Sequence, residues 1–318
     1  MNILFIGGSL NQTKMMHQIS KFFPECNCYF SPYYTDDWLD FFVQRNMTNF
    51  TILGGNFRKQ TESYLNRNNL NIDYQGRSRN YDLVFTGSDL IVPKNVRNKK
   101  MILVQEGMME PINFAFYLTK YLKFPRWASN TAATGLSDYY THFCVASEGF
   151  KELFIERGVN PDKIVVTGIP NFDNAKSFCN NNFPQKGYVL VATSDARETL
   201  KPENRKKFIK FAKEIAGNKQ IIFKLHPNEI YKRAVKEIEK YAPGSLVFQN
   251  EDIDSMIANC DVLITKFSSV AFIGLALDKQ VYSAFDMDFL KRLLPIQNGG
   301  TSSESIANVG RKVLGIME

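Results

Sequence analysis

Short apolar runs alternate along the chain with turns rich in glycine and polar residues and with stretches of helical spacing. Residues 2–6 read as a buried strand, Gly7-Gly8-Ser9 as a turn, and 12–23 as a helix. Residues 29–80 are rich in aromatics and Asn, with poor periodicity; helices are predicted near 36–44 and 58–67. The pattern sharpens with predicted strands at 82–86 and 100–104, a strand at 142–146, a helix over 147–157 ending near Gly158, and a strand at 163–167. Residues 117–140, with Arg126-Trp127 and a run of small polar residues, read as a substrate-facing segment or a plain connection.

The alternation restarts after residues 179–186, CNNNFPQK, a polar stretch with one proline that reads as an interdomain linker. Strands are predicted at 187–192, 220–225, 245–248, 262–265 and 280–282, and helices at 201–216, 230–240, 252–259 and 270–277. Thr301-Ser302-Ser303-Glu304 reads as a capping box opening a last helix, 303–315. Strands alternating with helices argue for a parallel, doubly wound α/β sheet in each half, with the loops at the strand C-terminal ends forming the functional edge.

A chain of 318 residues suits two domains, because single cores stop growing at about 250–300 residues. The formal charge of +7 suits an anionic ligand, an acidic membrane surface or nucleic acid and by itself establishes none of them, and the basic residues are mostly scattered. The densest group, 201–213, has helical spacing and reads as a solvated helix face, with a membrane- or polymer-binding role as the alternative. Five irregularly spaced cysteines suggest a reducing compartment, and neither they nor His17, His142 and His226 have zinc-finger spacing. The N-terminal sequence lacks signal-peptide features and no apolar run is long enough to span a membrane, so the expectation is a soluble cytoplasmic protein.

The candidate chemistry gathers at the predicted strand ends. Ser268 and Ser269 open a helix after the strand 262–265, where free backbone N–H groups, two hydroxyls and the helix dipole suit a phosphate; simple capping is the alternative. His226-Pro227 follows the strand 220–225: the proline fixes the turn, and the imidazole can donate to a phosphate or offset its charge. Glu229 could accept from ribose hydroxyls or be an ordinary first-turn acid, and Thr193 and Ser194 end the preceding strand. In the first half, Gly8 and Ser9 are candidates for ligand approach, although Gly7-Gly8-Ser9 lacks the full dinucleotide-binding spacing. Glu106, beside Gly107 at a strand end, is a candidate general base, with Glu110 as a second candidate.

Three stretches resemble the GT-B superfamily of nucleotide-sugar enzymes: 144–173, 221–229 (IIFKLHPNE) and 261–281. The first is similar to the end of the N-terminal domain in non-hydrolysing UDP-GlcNAc 2-epimerases. The others look like the HP and Ser-Ser motifs of bacterial sialyl- and polysialyltransferases, Kdo transferases and teichoic-acid glycerophosphotransferases. The resemblance implies two Rossmann-like domains facing a central cleft: an acceptor-side domain 1–178, linker 179–186, a nucleotide-donor domain 187–298, and a helix 299–318 returning to the first domain.

It also implies that His226, Ser268 and Ser269 contact the donor phosphate, and that Glu106 is the base. Gln105-Glu106-Gly107 matches the acidic-acidic-glycine motif of the sialyltransferases except at Gln105. The implied activity is an inverting, metal-independent glycosyltransfer from a nucleotide sugar, CMP-sugar favoured, to a cell-surface glycan or glycolipid acceptor. No cofactor and no nucleic acid are expected; a peripheral inner-membrane contact is compatible. The alternatives are an epimerase, which would need an acid that residues 126–135 lack, a CDP-glycerol glycerophosphotransferase, and a non-catalytic nucleotide- or glycan-binding protein.

Overall fold

A computed structural model describes residues 1–35, 55–198 and 202–316, together with 41, 43 and 45. The chain divides into two compact units, residues 1–173 with 295–318, and residues 174–294.

The first unit begins with β1 (Asn2–Ile6), α1 (Leu10–Ser20), β2 (Asn27–Ser31), α2 (Gly55–Arg67), β3 (Leu83–Thr86) and β4 (Met101–Val104). It continues with α3 (Phe114–Leu122), β5 (His142–Val145), α4 (Glu148–Arg157) and β6 (Ile164–Val166). The six strands form a parallel sheet in the order β2-β1-β3-β4-β5-β6. The order reverses between β1 and β3, so the loops after these strands diverge and leave a crevice at their carboxyl ends. Strands buried on both faces explain the continuous apolar runs.

The second unit contains β7 (Val189–Ala192), α5 (Arg205–Ala216), β8 (Ile221–Lys224), α6 (Tyr231–Tyr241) and β9 (Leu246–Phe248). α7 (Ile253–Asn259), β10 (Val262–Ile264), α8 (Val270–Ala276), β11 (Gln280–Tyr282) and α9 (Met287–Arg292) complete it. Its sheet has the order β11-β10-β7-β8-β9, again parallel, with the reversal between β7 and β10. Phe208, Ile209, Ala212 and Ala216 form the buried stripe of α5 against Val191, Phe223 and Ile264.

The chain then returns to the first unit through α10 (Ser302–Leu314), whose Ile306 and Ala307 are buried in the core with Phe5 and Phe85. The Phe5 and Phe85 rings are stacked with centroids 5.0 Å apart. Gly310 allows the close approach of the helix: a Cβ there would lie 2.7 Å from the Phe85 ring.

Several local expectations differ from these elements. Residues 179–186 pack as part of the second unit: Phe183 is buried against Tyr188 and Phe248, and Asn259 donates to the Asn181 side chain. The chain therefore passes between units at 173–174 and 294–295. α5 begins at Arg205 because the Asn204 side chain caps it, accepting from the Lys207 amide. The capping box at 301–304 does not form, since the Thr301 side chain makes no cap bond; the Asp173 carboxylate accepts from the Ser302 amide in its place. β2 and α3 arise where no element was expected. The helix predicted near 36–44 lies largely outside the described residues.

Candidate active site

In the first unit the candidate residues meet at the crevice beside β1 and β3. Ser9 is the N-cap of α1: its hydroxyl oxygen accepts from the Gln12 amide at 3.1 Å and its proton goes to Glu106 Oε1 at 2.9 Å. Gln12, the third residue of the helix, donates Nε2 to Glu106 Oε2 at 2.6 Å. Both carboxylate oxygens are thus held by donors from one helix turn. Gly7 and Gly87 permit this crowding: a Cβ at Gly7 would meet Thr13 Oγ1 at 2.4 Å, and one at Gly87 would meet the Gln12 side chain at 3.0 Å. Gly8 lies in the bend between Gly7 and the capping serine.

Burial raises the Glu106 pKa above the ordinary carboxylate value, while the bonds from Gln12 and Ser9 oppose that rise. Glu106 nevertheless retains partial solvent exposure. It is therefore a carboxylate of strengthened basicity on a half-buried residue, the property a general base needs. Tyr34 is buried nearby, where desolvation, together with Glu106 and Asp89, pushes its hydroxyl up to about 12.

The departure at Gln105 has a structural reason. Gln105 is buried, its Oε1 accepts from the Ala146 amide at 2.9 Å, and its Nε2 donates to the Gly107 carbonyl at 2.8 Å. A carboxylate could do only the first of these and would face the Gly107 oxygen without a proton. The amide thereby joins the ends of β4 and β5 and shapes the turn that presents Glu106. Asn171 Nδ2 completes the turn by donating to the Glu106 carbonyl.

Glu110 follows in an irregular segment and is not on a helical turn with Glu106. Its carboxylate lies 3.4 Å from the Thr131 amide and hydroxyl, and its carbonyl accepts from Arg157. Asp89 is fully buried and accepts from the Gly135 and Ser137 amides. This acid, missed in the sequence, anchors the loop 135–137.

In the second unit the loops after β10, β7 and β8 share one sheet edge. They carry Ser268 and Ser269, then Thr193 and Ser194, then His226 and Pro227. Pro227 lies in the turn closed by the Glu229 amide bonding to the His226 carbonyl. The Asn228 amide donates to His226 Nδ1 at 3.2 Å. With Nδ1 accepting, the neutral ring carries its proton on Nε2, which is then a donor. Asp195 Oδ2 lies 3.6 Å from Nδ1 and also accepts from Asn228 Nδ2.

Among the described residues, the Ser269 side chain makes no cap bond on α8, and the Ser268 hydroxyl accepts only a long bond, 3.4 Å, from the Val270 amide. Capping therefore accounts for little of the Ser-Ser pair.

Glu229 occupies a different setting from the ribose contact expected of it. Its side chain is wholly buried, accepting from the Thr193 hydroxyl, the His226 amide and Arg205. Thr193 is consequently a brace within this network, and the Ser194 carbonyl accepts from Arg205. Arg205 and Arg197 both approach Glu203, and Lys266 bonds it at 3.1 Å. These residues, legible only as scattered charges, hold the strand-end loops in place.

Asp252 and Asp286, the first residues of the two Asp-x-Asp sequences in this half, cap α7 and α9. Among the described residues no group of three or more His, Cys, Asp or Glu could hold a metal ion.

The profile of the CDP-glycerol:poly(glycerophosphate) glycerophosphotransferase family matches residues 56–289. None of the curated proteins matches the chain in sequence. Among solved structures, the wall teichoic acid polymerase TagF is 13% identical over 99% of this chain and 89% of its own, with a TM-score of 0.53. UDP-GlcNAc 2-epimerase from Neisseria meningitidis, bound to UDP-GlcNAc, is 11% identical over 98% of this chain and 100% of its own, with a TM-score of 0.60. The S. aureus MnaA co-structure with UDP is 13% identical over 99% of this chain and 97% of its own, with a TM-score of 0.61. These likenesses are to the GT-B-like fold of paired parallel α/β sheets.

Proposed function

We infer the reaction from one premise: the chain belongs to the CDP-glycerol:poly(glycerophosphate) glycerophosphotransferase family and is a transferase. We propose that it moves a glycerophosphate group from a cytidine nucleotide-linked donor to an acceptor hydroxyl. The first unit takes the acceptor and the second the nucleotide. A variant of the TagF polymerase was solved after a soak with CDPG, which favours this donor class.

Glu106 removes the acceptor's proton as its oxygen attacks the donor phosphorus that bears glycerol. The bond from that phosphorus to the bridging oxygen breaks, and CMP leaves with the electron pair. His226 Nε2, the two serine hydroxyls and the backbone N–H groups opening α8 stabilise the departing phosphate. The observation that carries this reading is the Glu106 carboxylate, gripped by Ser9 and Gln12 and desolvated at the strand end.

Sugar transfer from a CMP-sugar would use the same base and also expel CMP; the HP and Ser-Ser motifs favour it equally. Epimerisation is disfavoured because the acid that contacts loop 135–137, Asp89, is fully buried and bonded to backbone.

The test is to incubate the purified full chain with CDP-glycerol, a CMP-sugar or UDP-GlcNAc, with and without a poly(glycerophosphate) primer. Nucleotide release and product mass are then measured. Primer extension by glycerophosphate with CMP release is expected. CMP release with a sugar-sized mass gain would move the assignment to sugar transfer, conversion of UDP-GlcNAc to its epimer would overturn both, and nucleotide binding without turnover would indicate a binding protein.

A further inference from the structure

Ser9 carries one group more than its place at the start of α1 requires. A capping serine needs only a lone pair, and Ser9 uses one to accept from the Gln12 amide at 3.1 Å. Its proton is surplus to that task and is directed at Glu106 Oε1, 2.9 Å away. A serine oxygen has two lone pairs, so one remains to accept from a further hydroxyl.

The surroundings fix this geometry. The Ser9 carbonyl accepts from both the amide and the hydroxyl of Thr13, at 3.0 Å and 2.9 Å. Thr13 and Gln12 are only 2% and 4% exposed, whereas Ser9 is half-buried. Ser9 is therefore the side of this helix turn that meets solvent. Gln12 holds Glu106 Oε2 at 2.6 Å, a bond that can persist whether the carboxyl is ionised or carries a proton on Oε1. Oε1 is left as the oxygen that receives a proton, and the hydroxyl already aimed at it belongs to Ser9. Direct transfer from the acceptor would instead use a second lone pair of a carboxylate that burial has desolvated.

We propose that Ser9 relays the acceptor's proton to Glu106. The proposal rests on the reading of Glu106 as the base and says by what route the proton reaches it. As the acceptor oxygen attacks the donor, its O–H bond breaks and that proton joins Ser9 Oγ. The original Ser9 O–H bond breaks in the same step, and its proton joins Glu106 Oε1. Serine ends the step neutral, Glu106 ends it as the neutral acid, and the electron pair of the acceptor's O–H bond stays on the attacking oxygen. Solvent takes the proton back through the same hydroxyl before the next turnover.

The experiment measures turnover against pH for the full chain, with a poly(glycerophosphate) primer and whichever of CDP-glycerol or a CMP-sugar the unaltered chain uses. Ser9→Asn keeps a side-chain oxygen to cap α1 and an N–H to hold Glu106, but it has no hydroxyl to pass a proton on. Its thermal unfolding midpoint should stay close to that of the unaltered chain, while the high-pH plateau of kcat falls about 10²-fold or more. Ser9→Ala should lose the plateau equally. Ser9→Thr, which retains a hydroxyl, should keep the plateau within about tenfold, and CMP affinity should be unaltered in all three, because a relay acts on the acceptor's proton alone.

A purely structural serine gives a different pattern. If Ser9 only stabilises the ionised carboxylate, Ser9→Ala moves the acid limb to higher pH and recovers the full plateau above it, and this result would overturn the relay. So would a normal plateau in Ser9→Asn, or a Ser9→Thr chain no faster than Ser9→Asn. Glu106→Gln separates these failures from that of the underlying reading: if it is inactive while Ser9→Asn is normal, the base stands and only the relay falls. Normal turnover in Glu106→Gln, or no turnover by the unaltered chain with either donor, removes the base and the relay together.

Discussion

Gln12 donates its side-chain amide to Glu106, Nε2 to Oε2 at 2.6 Å, and so links the first turn of α1 to the end of β4. Its own Oε1 has no hydrogen-bond partner among the described residues. If the amide turns over, that oxygen can accept from a donor at position 106. Glu106→Gln should therefore fold with a loss of about 1 kcal/mol or less, while turnover falls about 10²–10⁴-fold if Glu106 is the base. Measuring nucleotide affinity and turnover alongside Glu110→Gln checks this; normal turnover in Glu106→Gln would remove the base from the mechanism.

The pH dependence follows from the same carboxylate. Burial favours its protonated form, so the base becomes active only above the ordinary carboxylate range, and the acid limb of kcat/KM should lie there. The bond from Gln12 stabilises the ionised form, so Gln12→Met, which preserves volume, should move that limb to higher pH. Because the folded pKa is the higher one, Glu106 contributes stability that is present below the unfolded pKa and lost as pH rises through the folded pKa. Unfolding measured across that window should lose this segment of pH dependence in Glu106→Gln.

Replacing Ser268 and Ser269 together by alanine should leave the unfolding midpoint nearly unchanged, since Ser269 makes no cap bond and Ser268 only a long one. CMP affinity should weaken by about 1–2 kcal/mol per lost bond to phosphate. Unchanged affinity by titration calorimetry would return the pair to a local structural role.

Glu229→Ala should act on stability first. It would leave Arg205 buried without one of its carboxylates and release the Thr193 hydroxyl and His226 amide, for an expected loss of about 3–5 kcal/mol by denaturant unfolding. Reduced nucleotide affinity with unaltered stability would instead indicate direct donor contact.

Gly310→Ala tests the seat of α10. The added carbon would approach the Phe85 ring to 2.7 Å and the Phe23 ring to 3.0 Å within a close-packed core. Destabilisation of about 1–3 kcal/mol is expected from such overpacking; a gain in stability, as helix propensity alone would give, would contradict this packing.

The chain's own pattern determined both parallel sheets, because strands buried on both faces read as continuous apolar runs and the intervening helices carry one apolar stripe, as 189–192 and 205–216 do. It also marked Glu106, His226, Ser268 and Ser269, since strand ends, glycines and the proline after His226 are local signals. Tertiary structure decided the rest: α3 was illegible because its outward aromatics obscure the expected apolar stripe, and β2 because its polar ends blur the strand pattern. The roles of Gln12 with Glu106, Arg205 with Glu229 and Asp173 with Ser302 depend on residues distant in sequence, whose meeting follows from strand order and packing. Local periodicity specifies an element and its buried face, but the chemical partner of a side chain is specified only when the elements are brought together.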